Sequence, residues 1–115
     1  MKHSTFNYVR ASRQRTAFTE EELAFLINQR SKTSVSLIEA GDRVPGLEGA
    51  MALQVVFGLA PKELFPELYE HVEDAVMRRA QLLYEKFEEK SDSRSQAKLT
   101  ALEEMAKRRD NEAVA

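Results

Sequence analysis

Four residues on one helical face offer the most specific chemistry in this chain. Lys32, Thr33, Ser36 and Leu37 are what remains of the segment 31–40 once Val35 and Ile38, three apart, turn inward together. Three of them carry short or flexible hydrogen-bonding groups and the fourth carries a methyl-rich surface. Donors, acceptors and an apolar tip along one short helix are the chemistry that reads nucleotide edges in a DNA major groove. Spacing alone equally admits an αα-corner with a solvated face. Other candidates are weaker. Glu20-Glu21-Glu22 suggests acid–base or cation chemistry, but acids in a first helical turn are explained by the helix dipole. His71, with Glu67, Glu70 and Asp74 nearby, offers one imidazole among surface carboxylates, a poor metal set. No nucleophile constellation, phosphate loop or dinucleotide fingerprint occurs, so catalytic residues, metal and cofactor are all expected to be absent.

The elements that position this face follow from punctuation and periodicity. A first helix is expected from about Asn7 to Thr16, with Val9 and Phe18 packing inward and Arg10, Arg13 and Arg15 at the surface. Thr19 with Glu22 forms a capping-box pair opening a second helix, whose inward face is Leu23, Ala24, Leu26 and Ile27. Asn28 tolerates the left-handed backbone that ends a helix, and Ser31 can cap the third. Gly41 stops that helix and Pro45 blocks continuation. Leu47–Phe57 is apolar nearly all round and reads as the buried centre, through Leu47, Ala50, Met51, Leu53, Val55 and Phe57. Gly58 ends it, and Pro61 opens a short fifth helix reaching Phe65.

From Pro66 to about Lys90 the pattern is long and amphipathic, with Leu68, Val72, Val76, Leu83 and Phe87 at three- and four-residue steps. This stripe outruns what a small domain can cover and suits a second copy of the chain, giving a symmetric homodimer. A polar break follows, with Ser93 and Gln96 as a capping box, and then a short terminal helix over Ala97–Arg109. The expected domains are therefore residues 1–65 and a C-terminal extension, 66–115.

Composition sets the outer limits. The 115 residues suit one small domain plus an accessory element, and the absence of cysteine removes disulfides and thiolate metal sites. The N-terminal residues carry no apolar run, and no stretch is apolar enough for a bilayer, so a cytoplasmic protein without membrane contact is expected. Formal net charge is −2, yet residues 1–43 hold seven Lys or Arg against five acids. Affinity for DNA follows the field facing the phosphates rather than whole-chain charge. That local excess is small, so two copies are needed to hold duplex DNA. Arg43, beside the third helix, is placed to meet a phosphate. Lys2 and His3 form either an arm that reaches a groove or a frayed end.

One ordered set of residues goes further. Arg13, Phe18-Thr19, Leu23-Ala24, Val35-Ser36, Ile38-Glu39, Gly41, Pro45, Leu47, Ala52-Leu53, Phe57-Gly58 and Glu63-Leu64-Phe65 resemble the helix-turn-helix regulators of the phage-repressor and Cro type, the xenobiotic-response-element family. The resemblance covers residues 9–65. It implies an all-α, five-helix lambda-repressor-like domain, and sequence-specific binding of double-stranded DNA by a dimeric, repressor-like transcriptional regulator. It assigns Lys32, Thr33, Ser36 and Leu37 to the bases and Arg30 and Arg43 to phosphates. Arg13 would pair with Glu39 and fix the helix angle. The chain departs from the family's pattern in three places. Glu20 stands where glutamine usually holds a phosphate, the turn is one residue longer and lacks glycine, and Leu37 replaces a polar residue. These departures motivate two rivals: an adaptor that keeps the shape and binds protein, and an antitoxin-like partner whose C-terminal helix grips an unrelated protein.

Overall fold

A computed structural model describes the backbone over residues 5–114 and side chains over 5–113. The described residues are all-α, with seven helices and no strand. In order these are α1 (Val9–Thr16), α2 (Glu20–Leu26), α3 (Lys32–Glu39), α4 (Leu47–Phe57), α5 (Pro61–Leu64), α6 (Pro66–Phe87) and α7 (Ser93–Val114). None is long and apolar enough to cross a membrane. The chain divides into two units, one up to His71 and one from Val72.

In the first unit, helix ends are set by local chemistry. The Glu22 amide donates to Thr19 Oγ1 at 3.1 Å and the Thr19 amide donates to Glu22 Oε1 at 2.8 Å, the full capping box. Asn28 takes φ 58° and so turns the chain from α2 towards α3. Ser31 caps α3 through extended backbone, and its hydroxyl makes no capping bond. Val9, Leu23, Ala24, Ile27, Val35, Ile38, Leu53, Leu64 and Phe65 form the core, with Leu68 packed against it.

Three expectations need correction here. Leu26 is exposed and does not join the α2 inward face, because Leu23, Ala24 and Ile27 already fill it. Phe18 is only half-buried. The larger correction is α4. Gly49 and Leu53 are buried, and Ala52, Val56 and Phe57 pack beside them, but Leu47 is 73% exposed, Met51 56% and Val55 85%. An all-round apolar helix demands burial on every side, yet this unit covers one side only.

Residues 6–8 are anchored to the first unit. The Asn7 side chain is buried, donating from Nδ2 to the Ile38 carbonyl at 2.8 Å and accepting from the Val9 amide at 3.0 Å. The Tyr8 amide donates to the Leu64 carbonyl at 2.8 Å and the Phe6 amide to Glu67 Oε2 at 3.1 Å. Lys2 and His3 lie outside the described residues. The division between units falls inside α6 rather than at Pro66, because the first turn of α6 serves the first unit. Leu68 packs on its core, and Lys62 Nζ sits 5.7 Å from the centre of the Tyr69 ring.

The second unit pairs the rest of α6 with α7. Ala80, Ser95 and Leu99 are buried, and Arg109 Nε lies 3.2 Å from Glu73 Oε1 while its Nη2 meets Asp74 Oδ1. The terminal helix is not short: it holds 22 residues and begins at Ser93. Asp92 starts it, accepting from the Ser95 amide at 3.1 Å and the Ser95 hydroxyl at 2.7 Å, bonds that hold its carboxyl below the ordinary range. Instead of a box between Ser93 and Gln96, the Gln96 side chain donates from Nε2 to the Lys90 carbonyl at 2.7 Å, and its backbone N–H donates to the Asp92 carbonyl at 3.0 Å. The α6 stripe is also divided. Val72, Val76 and Leu83 are exposed, but Leu68 is committed to the first unit. The Phe87 ring is approached by Lys86, Lys90 and Lys98, with Lys98 closest at 4.4 Å.

Candidate nucleic-acid interface

The site is built on α3, which packs against α1 and α2. Val35 and Ile38 face inward at 1% exposure each, and this leaves Lys32, Thr33, Ser36 and Leu37 on the opposite side. Lys32 and Thr33 are exposed, whereas Ser36 and Leu37 are half-buried. Ser36 is not a free hydrogen-bonding group. Its hydroxyl donates to Glu20 Oε2 at 2.6 Å, tying the middle of α3 to the first residue of α2. This commits the Ser36 proton to Glu20 and leaves Lys32 and Thr33 as the exposed polar groups of the face.

The two flanks of α3 differ. On one, Arg13 spans α1 and α3. Its Nε donates to Glu39 Oε2 at 2.6 Å and its Nη2 to Glu39 Oε1 at 3.1 Å, a bidentate charge-assisted pair. Its Nη1 donates to the Phe18 carbonyl at 3.0 Å, so one guanidinium joins α1, the loop before α2 and the end of α3. The pair is largely withdrawn from water, with the Arg13 and Glu39 side chains 14% and 5% exposed. The hydrogen bond to Glu39 raises the Arg13 pKa above its usual range, burial opposes this, and the charges of Glu39 and Glu20 add to the rise.

On the other flank, Arg43 follows α3 and lies back along it, donating from Nη1 to Ser34 Oγ at 3.1 Å. The Asp42 and Arg43 amides donate to the Leu37 carbonyl at 2.9 and 3.2 Å, closing the end of α3. Arg30 is exposed in the turn before α3. The outward face of α3 therefore has Lys32 and Thr33 along its first turn, a cationic flank at Arg43, and an acidic flank at Glu20.

Sequence reasoning missed two features. Linear spacing marks Glu20 as a first-turn acid and a charge unfavourable to phosphate, whereas in the structure it is also the acceptor that holds Ser36. Phe25 attracted no attention, yet it is among the most exposed side chains, with Leu26, Glu21 and Glu22 beside it on the outer face of α2. Its i, i+4 spacing from Glu21, opposite the inward Leu23 and Ile27, was the available signal. Among the described residues no group of three or more His, Asp or Glu stands close enough to hold a metal ion, and His71 is exposed.

No protein-family model, curated protein or solved structure matches this chain.

Proposed function

We propose that this protein binds duplex DNA in a sequence-dependent manner, as a helix-turn-helix transcriptional regulator of the phage-repressor type acting through paired copies. The observation that carries the reading is the presentation of α3. It packs on α1 and α2 through Val35 and Ile38, is tied to α1 by the Arg13–Glu39 pair, and leaves Lys32 and Thr33 open at its first turn. In this reading Lys32 and Thr33 approach base edges and Leu37 meets a thymine methyl. Ser36 positions α3 rather than reading a base. Arg30 and Arg43 hold phosphates, which sets register without carrying sequence information.

Two substitutions test these roles. Lys32→Ala should relax discrimination at one base position, by about 1–3 kcal/mol between the right and wrong base. Arg43→Ala should weaken all duplexes alike and lower the salt slope by about one. Equal loss on every sequence with Lys32→Ala would remove the base-reading role. Glu20→Gln provides a second check. Glutamine keeps an acceptor for Ser36 while removing a negative charge that faces phosphate. Screened by water, one charge at contact distance amounts to about 1 kcal/mol, so affinity for mixed-sequence duplex should rise several-fold at low salt. Unchanged affinity in a fluorescence-anisotropy titration would place Glu20 away from the DNA backbone.

A second reading rests on a specific observation. The outer face of α2 joins exposed Phe25 and Leu26 with Glu21 and Glu22, a surface suited to a protein partner rather than to phosphate. An adaptor of this kind would show no binding to mixed duplex DNA even at low salt.

A further inference from the structure

We infer that α4 is a self-association surface, through which two copies of this chain pair around a two-fold axis near Met51. The ridge Leu47, Met51 and Val55 recurs every four residues, so its members stack along one side of the helix. All three are exposed, as is Val44 just before the helix. The opposite side of α4, at Gly49 and Leu53, is buried in the core. A helix apolar on nearly every side is one whose outer face is also meant to be covered.

Charge identifies the occupant. In an isologous contact only the residues on the two-fold axis meet their own counterparts, so a charge at the centre of a face repels itself. The outer face of α2 carries Glu21 and Glu22, and the exposed stripe of α6 carries Arg79 among its valines and leucines. The α4 ridge carries no charge; Glu48, the one charged residue of the helix, stands at its edge in solvent. Of these three exposed apolar faces, α4's can meet a copy of itself with no charge at its centre. Methionine at the centre adapts its shape to a partner surface.

Area sets the strength. Leu47, Met51, Val55 and Val44 leave on the order of 400–500 Å² open, the size of the largest patch a monomer ordinarily bears. Two copies together cover at most about 800–1,000 Å², at or below the roughly 1,000 Å² that a stable specific interface clears. An interface of this size belongs with the weak, transient associations, and its dissociation constant is proposed to lie in the micromolar range.

Sedimentation equilibrium of the full chain, without DNA, tests this independently of what α3 contacts. The wild type should pass from monomer to dimer across the micromolar range. Met51→Lys and Met51→Glu should each weaken pairing by about tenfold or more, because each buries two like charges together, while far-UV circular dichroism stays unchanged. Mixing the two variants should restore a dimer, since opposite charges then meet at the axis. Val76→Lys on α6 should leave the equilibrium as it was. A wild type that stays monomeric to millimolar concentration would overturn the proposal. So would loss of the dimer with Val76→Lys alone, or an equimolar Met51→Lys and Met51→Glu mixture that remains monomeric.

Discussion

Arg13→Ala is expected to destabilise the first unit by about 3–5 kcal/mol, the cost of stranding one member of a withdrawn ion pair. Glu39 would keep a carboxylate that is 5% exposed and lose both hydrogen bonds that compensate it. The Phe18 carbonyl would lose its guanidinium donor as well. Small domains hold about 5–15 kcal/mol in total, so this one change takes a large share. Urea unfolding followed by circular dichroism measures the loss, and hydrogen exchange at α1 and α3 amides localises it. Replacing both partners, as Arg13→Met with Glu39→Leu, should recover much of the loss, because no buried charge is left behind. The pH dependence has a defined sign. The folded state raises the Arg13 pKa, so the arginine's contribution is complete below the ordinary guanidinium range and is lost only above the raised value. Its share of the effect should therefore be equal at about pH 6 and about pH 9. A loss of less than about 1 kcal/mol would mean that the pair behaves as a surface bridge.

Gly41→Ala should be the second most damaging change. Gly41 has φ +81°, where an L side chain costs about 1–2 kcal/mol. Added to this is a steric conflict: a Cβ at Gly41 would run into the backbone of Thr5, including its carbonyl oxygen. Neighbouring backbone cannot yield as a flexible side chain would, so residues 5–7 must lift away. Lifting them threatens the buried bonds of Asn7 to Ile38 and Val9, worth roughly a further 1–3 kcal/mol. The expected results are a drop of several degrees or more in Tm and faster hydrogen exchange at the Tyr8 amide. Slow exchange at Tyr8 together with wild-type Tm would show that the Thr5–Gly41 contact is not needed.

The parts of the fold that depend on neighbours in sequence were legible. The Thr19–Glu22 box, left-handed Asn28 and Gly41, and the inward Val35 and Ile38 each follow from local chemistry within a few residues. Spacing and punctuation also gave the number and order of the helices. What failed depended on which surface covers an element. Periodicity marks α4 as apolar but does not name its neighbours, so Leu47, Met51 and Val55 were assigned to a core that does not reach them. The same limit applied to α6, where Leu68 turns to its own unit and lysines gather at Phe87. Terminal strength was misjudged differently. Asp92 captures Ser95 and starts α7 four residues earlier than its apolar pattern suggests. At the site, the residue types of the outward face were readable, but the Ser36–Glu20 bond spans two helices and has no signature in linear spacing.

These features bear on DNA recognition in opposite directions. The Arg13 brace and the open Lys32 and Thr33 favour a reading helix. The acidic start of α2 reduces the field available to phosphates, so in the proposed reading affinity comes from pairing and from base contacts more than from charge.

Selection of bound duplexes from a random-sequence pool by the 115-residue chain at low salt is the decisive test of DNA recognition. Enrichment of a two-fold symmetric consensus whose half-sites lie about one helical turn apart, ~34 Å, is expected. Recovery of no duplex above background, or of duplexes sharing no consensus, would contradict it.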